Sequence, residues 1–258
     1  MRAAFALAAL LALSACADSP PRLAVEPALA AVAAVDVPEC PADAGVMDGW
    51  DDRAPPRRLF GNVYYVGTCG ITALLVTSSQ GHILLDGATE PAGPAIAANI
   101  EALGFKLADI QFILNSHEHS DHAGGLAHLQ RVTGAPVLVR EPSAATLARG
   151  ASGRGDPQSG VLKKFPPVTN VQLLPDDRTV RVGDLALTAH ATPGHSPGGT
   201  SWTWVSCEDS HCLQMVYADS LSAISDKTYR FSGHADYLAA FHRSIDTVAS
   251  LPCDILIS

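Results

Sequence analysis

The sequence predicts an α/β (α+β) fold, with sheets covered by helices in one layered domain. Three observations carry this expectation. From residue 61 onward, short runs rich in β-branched and aromatic residues follow one another between Gly, Ser and Gln turns. Segments with helical spacing of apolar residues interrupt them at 92–104, 124–134 and 234–251. The chain has 258 residues, 47% of them hydrophobic; strands and helices mingle along its whole length, which favours one domain over two.

The first residues stand apart from that pattern. "MRAAFALAALLALSAC" has a positive start at Arg2, an apolar run and small residues before Cys16, which reads as an export signal too short to span a bilayer. "LSAC" at 13–16 resembles a bacterial lipobox. Lipidation at Cys16 is therefore preferred to ordinary cleavage after "ACA" at 15–17, and gives an expected periplasmic protein with a lipid anchor to the membrane. Residues 17–38, rich in Ala and Pro, read as a tether, and 39–258 as the folded domain.

Within the domain, "NVYYVGT" (62–68), "ITALLVTS" (71–78) and "HILLDG" (82–87) read as strands. "AGPAIAANIEALG" reads as an amphipathic helix stopped by Gly104. "IQFILNS" (110–116) is an apolar strand, "GGLAHLQRVTG" a helix and "PVLVRE" (136–141) another strand. Residues 150–168 read as a mobile loop rich in Gly, Pro, Ser and Lys. Strands are expected again over 179–195, 200–206 and 213–220, then a helix over 234–251 and a strand in "CDILIS".

Composition excludes one class of function. The formal net charge is −9 and no basic cluster interrupts it, so nucleic-acid binding is set aside. Export permits disulfides. Beyond Cys16 there are five cysteines, an odd number. Cys207 and Cys212 enclose the short polar loop "EDSH", Cys40 is placed to pin the N-terminal arm to Cys69, and Cys253 is left over. The chain stops on "CDILIS", a buried-strand pattern with no closing turn, so further sequence is expected past Ser258.

The chemistry concentrates in "NSHEHSDHAGG" at 115–125. His117 and His119 are two apart, a spacing that shares one face of an extended segment but not of a helix. Asp121 and His122 follow, and Gly124 and Gly125 are expected to let the chain bend before the next helix. Imidazole and carboxylate donors with no cysteine among them suit a zinc site that keeps one position open for water. A local cluster needs a distant ligand to complete it, and His195 in the Pro/Gly turn of "HATPGHSPGG" is the candidate. His82, His128, His190, His211 and His242 read as ordinary surface or core histidines.

H-x-H-x-D-H at 117–122, "PGHSPGG" and "YADSLSA" at 217–223 resemble the metallo-β-lactamase superfamily, and "GHSPGGTSWTW", "YADSLSA" and "LPCDILIS" narrow the likeness to its subclass B3 β-lactamases, from about Cys40 to the end. The resemblance implies a four-layer αββα sandwich with the metals at one edge, between the sheets. It implies two zinc ions per chain: one on His117, His119 and His195, the other on Asp121, His122 and a histidine expected a few residues past Ser258. It also implies a later cysteine to pair with Cys253; His234, at the start of an expected helix, is a poor substitute ligand. The implied activity is hydrolysis of the β-lactam amide of penicillins, cephalosporins and carbapenems by a metal-generated hydroxide, with no acyl-enzyme. Asp121 would orient the nucleophile, Ser220 and Ser222 would bind the substrate carboxylate, Gln158 would touch substrate and Asp86 would hold a ligand in place. The protein is expected to be a monomer acting on a small molecule.

Two other functions fit the same residues. A glyoxalase II-like thioesterase or lactonase of the superfamily would use Asp219 as a metal bridge. A metal-binding lipoprotein without catalysis would keep the ligands and lack turnover.

Overall fold

The computed structural model describes residues 37–175 and 178–258, all of them in one compact unit. The export signal, Cys16 and the tether as far as residue 36 lie outside the described residues. Among the described residues no helix is long and apolar enough to cross a membrane.

The first sheet has seven strands in chain order: β1 (Arg57–Phe60), β2 (Val63–Tyr65), β3 (Leu74–Ser78), β4 (Gly81–Leu85), β5 (Ile110–Leu114), β6 (Val137–Arg140) and β7 (Val171–Leu174). The first four form an antiparallel meander and β4 to β7 run parallel. Parallel neighbours need a crossover. These are supplied by α1 (Ala92–Ala102), by α2 (Ser120–Ala123) with α3 (Leu126–Thr133), and by α4 (Glu141–Arg149) with the segment after it. The second sheet holds β8 (Thr179–Val182), β9 (Leu185–Ala191), β10 (Thr200–Glu208) and β11 (His211–Tyr217), all antiparallel. The helix α5 (Ala235–Ser250) then crosses over to β12 (Ile255–Ile257), which runs parallel to β11.

The central strands are buried on both faces because successive side chains leave a strand in opposite directions. Leu75, Leu84 and Ile113 join Ile96, Ile100, Leu126, Leu129 and Leu147 beneath α1, α3 and α4. Their neighbours Leu74, Leu85 and Leu114 point the other way and meet Leu187, Trp202, Met215 and Tyr217 between the two sheets. On the far side, α5 seats Phe241 against the Gly194 backbone, and its Ser244 Oγ donates to Pro193 O at 2.7 Å. The result is the four-layer αββα sandwich.

Several elements differ from the sequence reading. β1, β7 and α4 were not expected. The run 179–195 is a hairpin rather than one strand, turned at Gly183 (φ +59°). The segment 150–168 is tied down rather than loose: Phe165 N donates to Gly150 O at 2.9 Å and Val168 N to Leu147 O at 3.0 Å. Cys40 is bonded to Cys69 and Cys207 to Cys212 across the β10–β11 pair, and Cys253 is free and exposed.

Gly124 and Gly125 do not bend the chain through a left-handed conformation, since both φ angles, −58° and −81°, are helical. They permit close approach. A Cβ on Gly125 would lie 2.2 Å from Gly87 O and 2.9 Å from Gly93 Cα, packing the α2–α3 junction against the end of β4 and the start of α1. Gly125→Ala is expected to lower stability by about 1–3 kcal/mol, the usual cost of overpacking, in chemical denaturation. An unchanged midpoint would show slack at this junction.

Candidate metal centre

The parallel strands β4 and β5 end side by side, and the site lies at their carboxyl ends, where open α/β sheets leave a crevice. Past β5 a short stretch that is neither strand nor helix leads to His119, whose extended backbone (φ −76°, ψ 157°) begins α2. The two-residue spacing sends His117 and His119 to the same side, with ring centroids 4.7 Å apart. Asp121 and His122 lie on α2 itself rather than on a turn, and the His122 ring comes within 4.2 Å of His117.

His195 arrives from the second sheet. After β9 a tight turn, closed by Thr192 N on Gly199 O (2.8 Å) and Gly194 N on Ser196 O (3.0 Å), swings its ring to 5.0 Å from His117 and 4.9 Å from His119. Two groups of donor atoms result, His117 with His119 and His195, and His117 with Asp121 and His122, each set within 4.8 Å.

The outer nitrogens decide which atoms face inward. His117 Nδ1 lies 2.7 Å from Asp219 Oδ1, His119 Nε2 2.7 Å from Asp156 Oδ2, and His122 Nδ1 2.8 Å from Asp86 Oδ2. An ionised carboxylate only accepts, which assigns the proton to each of these nitrogens and leaves the other nitrogen of each ring bare. His195 Nδ1 donates to Ser222 O at 3.1 Å and also meets Ser222 Oγ at 3.0 Å. Its Nε2 takes a 3.2 Å contact from the Gln158 amide. His117 Nε2 is buried and has no hydrogen-bond partner. Orphaned buried acceptors are costly, and bare imidazole nitrogens tied from behind by carboxylates are the arrangement that holds a metal ion. The donor set fits.

A family model described as the metallo-beta-lactamase superfamily matches residues 66–208, more than half of the chain. The chain belongs to that superfamily. Solved structures place it within subclass B3. MEM-A1, a subclass B3 metallo-β-lactamase from a soil metagenome library, is 50% identical, with a TM-score of 0.79 over 81% of this chain and 80% of that one. SMB-1, solved with 2-mercaptoethanesulfonate, is 48% identical with the same TM-score and coverage. Curated relatives are more distant. A hydroxyacylglutathione hydrolase of Pseudomonas savastanoi pv. phaseolicola is 30% identical across 64% of this chain and 52% of its own length. The N-acyl homoserine lactonase AttM of Azorhizobium caulinodans is 30% identical across 50% and 57%. The chain spans about half the length of these curated relatives.

In this member of the B3 family, Asp86 is the most heavily used carboxylate among the described residues. Besides His122 it accepts from Asn115 Nδ2 (3.0 Å), Ser116 N and Oγ (2.6 Å each) and Tyr217 Oη (2.7 Å). It does so from a left-handed backbone (φ +64°), uncommon for a residue with a side chain and typical of strain held at a working site. Asp219, the residue a thioesterase would use as a metal bridge, lies behind His117 and joins neither donor group. Ser222 is turned onto His195 rather than standing free, and Ser220 is half-buried beside Asp219. His234 stacks on Tyr229 at 4.4 Å and belongs to neither group.

Two acids here were not singled out from the sequence. Glu118, between two donors, points the opposite way and accepts from Ser143 Oγ, Ser196 Oγ and Gly198 N at 2.9–3.1 Å; the strand alternation already implied that direction. Asp156 carried no signal beyond its place in a Gly/Pro loop.

Burial, and then the charges of the other three histidines, hold the His117 pKa well below the ordinary 6.5. Burial together with His119 brings His195 down to about 4, against the opposing pull of the Ser222 carbonyl and Asp121. Burial opposes charge on His122 too, but the hydrogen bond and charge of Asp86, with Asp121, outweigh it and raise its pKa. The depressed pair set a sign. Below pH 6.5 the unfolded chain protonates His195 and the folded chain does not until about pH 4, so the unfolded state binds more protons. The metal-free protein is expected to lose stability as pH falls through that window. Denaturant midpoints measured against pH should show the slope, and His195→Asn should flatten it. An identical slope in the variant would remove His195 as a source.

Proposed function

We propose that this chain is a zinc hydrolase of β-lactam antibiotics, opening the lactam amide of penicillins, cephalosporins and carbapenems. One observation carries the reading: two donor groups share His117, every donor imidazole is braced from behind, and Asp219 is occupied as one of those braces. Identity of about half to solved B3 enzymes supports it. His117, His119 and His195 would hold one zinc, and Asp121 and His122 would take part in holding a second. Zinc, when bound, supplies a Lewis acid and brings the pKa of water toward roughly 7.

The remaining work falls to the chain's own groups. Asp121, on α2 and a member of the second donor group, would accept a hydrogen bond from the attacking water and orient it. Gln158, whose amide reaches His195 Nε2, is within range of a substrate lying over the three-histidine group. Ser220 and Ser222 would bind the substrate's carboxylate; Ser222 Oγ accepts from His195 Nδ1 and keeps its own hydroxyl proton to donate. No Ser or Cys nucleophile is required, in keeping with direct attack by water. We further infer export to the periplasm with lipidation at Cys16. The disulfides Cys40–Cys69 and Cys207–Cys212 suit an oxidising compartment.

The thioesterase or lactonase reading has relatives in its favour, but it needs Asp219 among the donors. The deciding experiment offers the purified chain nitrocefin, a glutathione thioester and an acyl homoserine lactone in parallel. Nitrocefin should be hydrolysed, the activity should vanish on chelation and return with zinc, and His119→Ala should lack it. Turnover of the thioester or lactone alone would overturn the lactamase assignment.

A further inference from the structure

The braces behind the four histidines are not equally rooted. Asp86 directly follows β4 and Asp219 comes two residues after β11, so His122 and His117 are steadied by the sheets. His119 is steadied by Asp156, which belongs to neither a strand nor a helix. The Asp156 carboxylate is only 3% exposed, and its second oxygen accepts the backbone N–H of Gln158 at 2.8 Å. The loop carrying both residues is tied across to the stretch that follows β11. Asp226 N donates to Pro157 O at 2.8 Å, and Gly160 N donates to Asp226 Oδ2 at 3.0 Å. The other oxygen of Asp226 accepts from Thr228 N (2.8 Å), Thr228 Oγ1 (2.7 Å) and Tyr229 N (2.9 Å), which fixes its direction. The approach is close: a Cβ on Gly160 would stand 2.7 Å from Asp226 Oδ2, so the carboxylate would have to shift to admit it. That same stretch carries Ser222, the acceptor for His195.

We propose that Asp156 is the positioning residue of His119 and that Asp226 clasps its loop, so that the grip of the three-histidine group on a divalent metal depends on contacts outside that group. The proposal rests on the reading of His117, His119 and His195 as ligands. A carboxylate on Nε2–H fixes the tautomer that leaves Nδ1 bare, and it raises the basicity of that nitrogen. With the brace gone, the His119 ring is free to exchange tautomers or rotate, and the donor faces inward for only part of the time. The loops on the two sides of the cleft brace His119 and His195, and Asp226 joins those loops to each other.

The test is zinc affinity by chelator competition on the full chain, compared among the parent, Asp156→Ala, Asp156→Asn, Asp226→Ala and, as a control on the exposed face of α1, Glu101→Ala. Thermal unfolding of each metal-free form and ring-nitrogen NMR of His119 accompany it. Asp156→Ala should weaken zinc binding by about 10–100-fold and populate the second tautomer of His119. Asp156→Asn, which keeps an acceptor oxygen, should lose less. Asp226→Ala should weaken binding beyond the control while its metal-free unfolding temperature matches the control. Parental zinc affinity in Asp156→Ala, or a His119 that stays in the Nε2–H tautomer without the carboxylate, would overturn the proposal. So would an Asp226→Ala variant whose affinity loss is absent or matched by an equal loss of metal-free stability. A parent chain that fails to take up zinc would overturn the ligand reading itself, which is a separate and recognisable result.

Discussion

Four imidazole rings meet in one buried pocket with bare nitrogens facing each other, and the rest of the architecture answers to that arrangement. Such rings cannot all be charged, because they repel one another and burial penalises charge in any case. His117 and His195 are accordingly held neutral well below the ordinary histidine range. Each ring must also place an N–H on an acceptor. Three place it on a carboxylate and one on a backbone carbonyl. The carboxylates are themselves buried and need donors of their own. Asp86 gathers them from Asn115, Ser116 and Tyr217, and Tyr217 is part of the core between the sheets. The donor nitrogens are thus connected through two layers of hydrogen bonds to the packing of Trp202, Leu114 and Leu85.

This dependence explains why the site sits where two sheets end. Asp86 and the His117 segment leave adjacent parallel strands, and His195 and Asp219 come from the opposite sheet. Holding rings from both sheets within 5.0 Å of each other requires the sheets to keep a fixed separation. A close-packed interior gives that precision because it relaxes little around a displaced side chain. The glycines of the motif serve the same purpose, letting the α2–α3 junction press on Gly87 and Gly93 so that the helix bearing Asp121 and His122 cannot back away.

The sequence made the centre of this site legible because the information there is local. Spacing alone separates an extended His117/His119 pair from a helical one, and the structure does set both rings on one side. The strands β3 to β5 were legible for the same reason, as short apolar runs set off by turn residues. What was missed is of another kind. β1 and β7 are edge strands with largely exposed faces, "RRLF" and "VQLL", and carry little of the pattern that marks a buried strand. The helix α4 did have signals, with Pro142 in its first turn and Gly150 at its left-handed cap, but nine residues between a strand and a loop gave them little periodicity to support. Asp156 was beyond reach. A carboxylate 37 residues from the histidine it braces has nothing in its neighbours to announce the pairing.

The position of Asp219 carries the chemical consequence furthest. The three-histidine group consists only of neutral donors, so a divalent ion held there keeps its full positive charge toward whatever oxygen it meets. The second group contributes a single carboxylate, Asp121. A bridging aspartate would place a further negative charge against both ions and reduce their pull on a carbonyl oxygen and on water alike. In this chain that aspartate lies on the outer nitrogen of His117 and joins neither donor group, and burial pushes its carboxyl well above the ordinary range, which further limits the negative charge it adds. An amide is a harder bond to open than a thioester or an activated lactone, and a centre that retains more positive charge is the one suited to it. In this chain the distinction therefore turns on whether the Asp219 carboxylate joins the donor groups or, as here, sits on the outer nitrogen of His117.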